Sequence, residues 1–161
     1  LKSEGLQEFT FGRYEIRAKL PEGVGTWPAI WMLGADYQTN AWPGAGEIDI
    51  MEHVGRNQNE ILSTLHFPGN SGANGISEMT TVETASSEFH VYAAEWTETQ
   101  IRFYVDDALY HIFENDDTKP FDKDFFMILN VAMGGNLGGD VDPAFSESAM
   151  EVDYVRVYQR D

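Results

Sequence analysis

Apolar and polar residues alternate along much of this chain. In residues 13–20, four apolar side chains alternate with four charged ones, which is typical of a strand with one face in a core and one in water. Similar patterns predict eight further strands, at residues 27–33, 47–52, 60–67, 91–96, 101–105, 109–113, 125–131 and 151–158. Long helical patterns are absent. Many short strands separated by turn signals predict an all-β fold, either an antiparallel sandwich or a barrel.

Composition adds limits on the domain and its partners. The 161 residues, 42% of them hydrophobic, are enough for one domain covering residues 1–161. Ten Lys and Arg against 27 Asp and Glu give a formal net charge of −17, so we expect no nucleic acid partner. The longest nearly apolar stretch, residues 125–133, is far shorter than the ~20 residues of a membrane span, so we expect no membrane insertion. Cysteine is absent, which excludes disulfides and cysteine nucleophiles.

The segment at residues 46–53 carries the most chemistry. Read as a strand, it places Glu47 and Asp49 on one face and two isoleucines on the other. Strict alternation would put Glu52 on the isoleucine face, where an unpaired buried carboxylate is costly. A β-bulge at about Met51 corrects the phase, because one extra residue returns Glu52 to the face of the other two carboxyl groups.

Two interpretations of this acidic strand remain open. It could be a solvated face of an edge strand, since exposure is usual for charged residues. It could also hold the two carboxyl groups of a retaining glycosidase, which lie ~5–5.5 Å apart and act as nucleophile and as acid, then base. Trp27, Trp31 and Trp42 precede the acidic strand and His66 follows on the next predicted strand, which favours the second interpretation. Asp49 would help to separate the protonation states of the two glutamates.

The sequence EIDIME at residues 47–52 resembles the E-[IL]-D-[IV]-x-E signature of glycoside hydrolase family 16 in its laminarinase-like form. The similarity continues, in the expected order, through residues 11–21, 25–34, 89–96, 130–136 and 150–158. It implies an antiparallel β-jelly-roll sandwich, concanavalin A-like, with a substrate cleft on its concave sheet. Members of the family usually begin several strands earlier, so this chain is expected to lack the amino-terminal strands usual there.

The resemblance implies retaining endo-hydrolysis of β-1,3-glucan by double displacement. Carried over by position, Glu47 is the nucleophile, Glu52 the general acid/base and Asp49 the residue that tunes the pair. Two alternatives remain. The chain could hydrolyse another β-glycan, such as a mixed-linkage β-1,3-1,4-glucan or a galactan, or it could be a non-catalytic jelly roll that binds glycans.

The resemblance also assigns residues around the catalytic pair. Trp31 and Trp42 match tryptophans that border the cleaved sugar, and His66 matches a cleft histidine near the scissile bond. Asn130 is expected to face the cleft as well. Catalysis in the family needs no cofactor, but members often hold a structural calcium ion, with an aspartate that matches Asp153 as one ligand. We expect a secreted monomer that acts on a polysaccharide.

Overall fold

Two antiparallel β-sheets make up the molecule. The computed structural model describes residues 1–159. Its strands are β1 (Gly12–Lys19), β2 (Thr26–Gly34), β3 (Glu47–Glu52), β4 (Glu60–His66), β5 (Ile76–Thr81), β6 (His90–Trp96), β7 (Gln100–Val105), β8 (Ala108–Glu114), β9 (Phe125–Met133) and β10 (Glu151–Tyr158). The helical segments are short: α1 (Gly135–Gly138) and 3-10 turns at Gly55–Asn57 and Gly72–Asn74. None of the described helices has the length and apolar character needed to cross a bilayer.

The core lies between the two sheets. One sheet has the strand order β10-β1-β6-β7-β8 and the other β5-β4-β3-β2-β9. Alternate residues of both sheets face inward and are buried, among them Tyr14, Ile16, Ile30, Trp96 and Phe103. The alternation that predicted the strands therefore supplies two apolar faces, and packing them together removes both from water. The predicted all-β sandwich is confirmed.

All nine predicted strands are present, with ends that differ by at most two residues. The sequence did not predict β5, an edge strand that pairs with β4. Five of its six residues are exposed. An edge strand with both faces in contact with water carries no apolar alternation, so the pattern that identified the other strands was missing here.

Strand β3 contains the bulge that its sequence predicts. Ile30 and Trp31 are consecutive on β2, but their partners on β3 are Met51 and Asp49, which leaves Ile50 as the extra residue. The pairing of β3 with β4 shifts at the same place. Ile50 and Met51 are both buried in the core. The bulge thus allows two consecutive core residues and returns the second glutamate of the strand to the outer face.

Candidate active site

Three carboxyl groups lie together on the outer face of β3, opposite the core. They belong to Glu47, Asp49 and Glu52. On the adjacent strand β4, His66 is the register partner of Glu47, and Thr64 is the partner of Asp49. We call the three carboxyl groups the carboxyl cluster. The strand register therefore brings the imidazole of His66 beside the carboxyl cluster, as the sequence predicted.

The carboxyl cluster is shielded from water although it faces away from the core. Asp49 is 3% exposed and Glu52 is 9% exposed. Two indoles contact the cluster: the N–H of Trp42 donates to Oε2 of Glu47 over 2.8 Å, and the N–H of Trp27 donates to Oε1 of Glu52 over 3.0 Å. A solvated acidic face would have neither this burial nor these donors, so that interpretation of the acidic strand is wrong.

The loop before β3 brings Trp42 to the cluster. Residues 35–46 form turns, and the last of them, Gly46, has φ +80°, a left-handed conformation that glycine adopts readily. A Cβ at this position would lie 3.0 Å from the rings of Phe125 and Pro120. Glycine therefore meets both a conformational and a steric requirement at the entry to β3. The entering chain places Trp42 over the carboxyl group five residues further on.

Burial raises the pKa of each carboxyl group in the cluster. The pKa of Glu47 rises to about 8, through burial first and the charge of Asp49 second. The pKa of Asp49 is raised well above its ordinary value by burial and then by the charge of Glu52. Burial also raises the pKa of Glu52, against the opposing effect of the hydrogen bond from Trp27. Neighbouring carboxylates with little water cannot all ionise, so the cluster retains protons near neutral pH.

This proton retention predicts a dependence of stability on pH. Between the ordinary glutamate pKa of 4.5 and the folded value of about 8, the folded cluster binds more protons than the unfolded chain. Its contribution to the free energy of unfolding is therefore complete at the acidic end of this window and is lost as the pH rises. Asp49→Asn removes one buried ionisable group and should therefore reduce the loss of unfolding free energy as the pH rises.

Thermal melts of the wild type and of Asp49→Asn at pH 4.5 and at pH 8 measure the difference. An exposed loop variant, Asp140→Asn, is the control, and equal losses in the wild type and Asp49→Asn would contradict the prediction.

His66 contacts the cluster from β4. Its Nε2 atom lies 3.3 Å from Oδ2 of Asp49 and 3.7 Å from Oε1 of Glu47. The Oδ2 atom of Asp49 is buried and has no hydrogen-bond partner. The imidazole also packs against the indole of Trp42, with ring centroids 5.8 Å apart. One imidazole thus links two of the carboxyl groups to the loop that covers them.

The remaining predicted binding residues lie on the same face of the sheet. Trp31 on β2 donates its indole N–H to Oδ1 of Asn130 on β9 over 2.7 Å. Both side chains are partly exposed. Trp42, at 47% exposed, presents the most accessible ring of the site. The structure therefore brings all four residues predicted to bind substrate to the face that carries the carboxyl cluster.

Sequence reasoning left three contributors out of the site. An aromatic residue such as Trp27 suits a core as well as a cleft, so the sequence assigned it no contact, yet its indole N–H donates to Glu52. Thr64 donates its hydroxyl to Oε2 of Glu52 over 3.3 Å and contacts the hydroxyl of Ser77, 2.9 Å away. Period-two alternation could have found Trp27 and Thr64, because they share a strand face with Trp31 and His66 respectively. Ser77 lies on β5, which the sequence did not predict.

Asp153 lies apart from the cluster, on β10. It is exposed, and its Oδ2 atom accepts from the guanidinium of Arg17 over 2.7 Å. Calcium requires six to eight oxygen ligands. Within residues 1–159, no group of acidic or histidine side chains with metal-ligand spacing includes Asp153. Carboxyl groups near Asp153 therefore do not supply a calcium shell by themselves, and calcium at this residue stays a sequence-based prediction.

The fold and the site together define a class of protein. The molecule is a two-sheet sandwich that presents clustered carboxyl groups and tryptophans on one sheet, the side chains that glycoside hydrolases use to cleave and hold sugars. Residues 1–156 match the model of glycosyl hydrolases family 16, and the chain belongs to that family.

Relatives of known structure confirm the jelly-roll fold. A beta-glucanase of Rhodothermus marinus is 46% identical over 99% of this chain and 61% of its own length. The catalytic domain of an endo-1,3-beta-glucanase (laminarinase) from Thermotoga petrophila RKU-1 is 41% identical, with a TM-score of 0.94 over 98% of this chain and 67% of that one. SCLam, a non-specific endo-beta-1,3(4)-glucanase, is 42% identical, with a TM-score of 0.93 over 99% of this chain and 64% of that one. The chain thus spans about three fifths of the length of the Rhodothermus relative.

Proposed function

We propose that this chain carries the catalytic centre of a retaining endo-β-1,3-glucanase of the laminarinase type. The observation that carries the proposal is the carboxyl cluster, in which Glu47 and Glu52 lie on one buried face and each accepts a hydrogen bond from a different tryptophan. Membership of glycosyl hydrolases family 16 and the names of the relatives support the same activity.

In the first step, the carboxylate of Glu47 attacks the anomeric carbon of the sugar and forms a glycosyl ester. The glycosidic C–O bond breaks as Glu52 transfers its proton to the departing oxygen. The raised pKa of Glu52 suits this role, because it keeps a larger fraction of the group protonated than an ordinary glutamate would have. In the second step, Glu52 takes a proton from water, which attacks the same carbon and releases Glu47. Two inversions leave the β configuration unchanged.

Asp49 keeps the nucleophile charged in this scheme. The charge of Asp49 raises the pKa of Glu47, and two neighbouring buried carboxyl groups do not both ionise. The indole of Trp42 donates to Glu47, whereas Oδ2 of Asp49 is buried without a donor. Ionising Asp49 is therefore the costlier choice, so the proton that the pair retains resides on Asp49 in the reactive state.

Four side chains position the glucan. The exposed ring of Trp42 and the partly exposed ring of Trp31 offer flat apolar surfaces to the C–H faces of sugars. Asn130 and His66 supply polar groups for hydroxyls on either side of the carboxyl cluster. We propose that the chain acts outside the cell as a monomer, because its substrate is a polymer and one chain supplies every group of the cluster.

A mixed-linkage β-1,3-1,4-glucan is the second candidate substrate, favoured by the similarity to SCLam, a non-specific endo-beta-1,3(4)-glucanase. The experiment incubates the chain with laminarin, with a mixed-linkage glucan and with a neutral galactan, and measures reducing ends. Proton NMR of the first products reports their anomeric configuration. We expect release from laminarin, with β-configured products. Glycan binding without release from any polymer would instead support the non-catalytic jelly roll.

The position of His66 can be tested without changing the histidine. A Cβ at Gly75 would lie 2.6 Å from Cε1 and 2.7 Å from Nδ1 of His66. Gly75→Ala should therefore move the imidazole and lower kcat/KM for laminarin by up to about 100-fold, since small displacements of positioning groups are costly. Gly72→Ala is the matched control in the same loop: it has no neighbour within 4 Å, and its φ of +58° adds only a general strain. Equal losses in the two variants would remove His66 from the proposal.

A further inference from the structure

Three potential ligand atoms converge at one end of the carboxyl cluster. They belong to Glu47, Asp49 and His66, one atom from each side chain, and all lie within 4.8 Å of one another. Nε2 of His66 lies 3.3 Å from Oδ2 of Asp49 and 3.7 Å from Oε1 of Glu47. Ligands bound tetrahedrally to zinc at ~2.0–2.1 Å are separated by about 3.3–3.4 Å. Two of the three atoms are thus already at the spacing of a tetrahedral metal shell.

The aspartate gives an independent indication of a missing ligand. Asp49 is 3% exposed, and its Oδ2 atom points toward Nε2 of His66 without a hydrogen-bond partner. Buried polar oxygens are nearly always paired, because an unpaired one costs free energy. A cation between the three atoms would satisfy this oxygen and offset the repulsion between the carboxylates. The net charge of −17 also raises the concentration of cations around the molecule.

We propose that Glu47, Asp49 and His66 form a binding site for a borderline transition-metal cation such as Zn²⁺. One imidazole and two carboxylates match the ligand preferences of this ion and are unlike the all-oxygen shell that calcium requires. Water completes the fourth position. On the proposed function, the bound ion occupies the nucleophile, so the site is inhibitory and competes with the glucan.

Isothermal titration of the whole chain with ZnCl₂, in the absence of any glycan, tests the site separately from hydrolysis. We expect one saturable site per chain, and His66→Gln should weaken it by at least about tenfold, as loss of a ligand does. His90→Gln is the matched control, because His90 also lies beside a carboxylate, with Nδ1 2.6 Å from Oδ2 of Asp106, but outside the cluster. It should leave the affinity within about twofold.

A second measurement uses the unmodified protein and does not depend on the folding of a variant. Addition of ZnCl₂ should shift the imidazole nitrogen resonances of His66 in NMR spectra and leave those of His90 in place. The absence of saturable binding, equal weakening by the two histidine variants, or a zinc-dependent shift at His90 alone would overturn the proposal. Failure of laminarin hydrolysis would overturn only the inhibitory consequence, since binding is measured without substrate.

Discussion

Glu47→Ala is expected to lower kcat for laminarin by at least about 10⁴-fold, because the group proposed to form the glycosyl ester is removed and no other side chain can replace it. Binding of laminari-oligosaccharides should remain within about tenfold, since the tryptophans proposed to hold the sugars are unchanged. Steady-state kinetics and calorimetric titration measure the two quantities. Glu78→Ala, which removes an exposed carboxylate from β5 of the same sheet, is the control and should keep the activity of the wild type.

Reaction with azide tests whether the group lost in Glu47→Ala is the nucleophile. In Glu47→Ala, the space of the missing carboxylate admits azide, which attacks the anomeric carbon of an activated aryl β-laminaribioside on the side opposite the leaving group. The expected product is an α-glycosyl azide, formed by a single inversion. Retained turnover of laminarin, or a β-configured azide, would remove Glu47 from the role of nucleophile.

The faces of the acidic strand could be predicted because they depend on local geometry. Period-two alternation places Glu47 beside Asp49, and the cost of burying Glu52 among isoleucines requires the bulge that the structure contains. Both arguments use neighbours in sequence alone. The same reasoning placed His66 on the next strand, where the register brings it opposite Glu47.

The shielding of the carboxyl cluster from water could not be predicted in the same way. Trp42 belongs to a loop without periodicity, and its contact with Glu47 depends on the turn at Gly46. The burial of Asp49 likewise results from strands and indoles that are distant in sequence. The raised pKa values follow from that burial, so the sequence suggested which groups interact but not how strongly they hold their protons.

The contacts that Thr64 and Trp27 make with Glu52 depend on strand pairings that the sequence indicates only weakly. Thr64 reaches both Glu52 and Ser77, and the latter lies on the polar edge strand β5. Trp27 was ambiguous because an aromatic residue on a strand suits a core as well as a cleft. Only the β2–β3 register, in which Glu52 lies opposite Ala29, brings this glutamate within reach of that indole.

Replacement of Glu52 should affect the two steps of the reaction to different extents, so that the rate of each step can be measured separately. Glu52→Gln retains an oxygen that can accept from Trp27 but has no proton to give to the leaving group. We expect hydrolysis of laminarin to fall by about 10²–10⁴-fold, the usual contribution of a general acid. An aryl laminaribioside with an acidic phenol needs no such proton, so its first step should remain fast. Because the second step still lacks its base, stopped-flow traces should show a burst of about one phenolate per enzyme molecule, followed by slow turnover.

Azide distinguishes this glutamate from the nucleophile by stereochemistry. In Glu52→Ala the glycosyl ester on Glu47 still forms from the activated glycoside, and azide attacks it from the face where water would enter, without needing a base. Two inversions give a β-glycosyl azide, whereas Glu47→Ala is expected to give the α product. Thr64→Val, which removes a hydroxyl donor to Glu52 and keeps its carboxyl group, should show no burst. An α-azide from Glu52→Ala, or an equal loss of activity on laminarin and on the activated glycoside, would show that Glu52 is not the general acid/base. Asp49, the remaining carboxyl group of the cluster, would then be tested next.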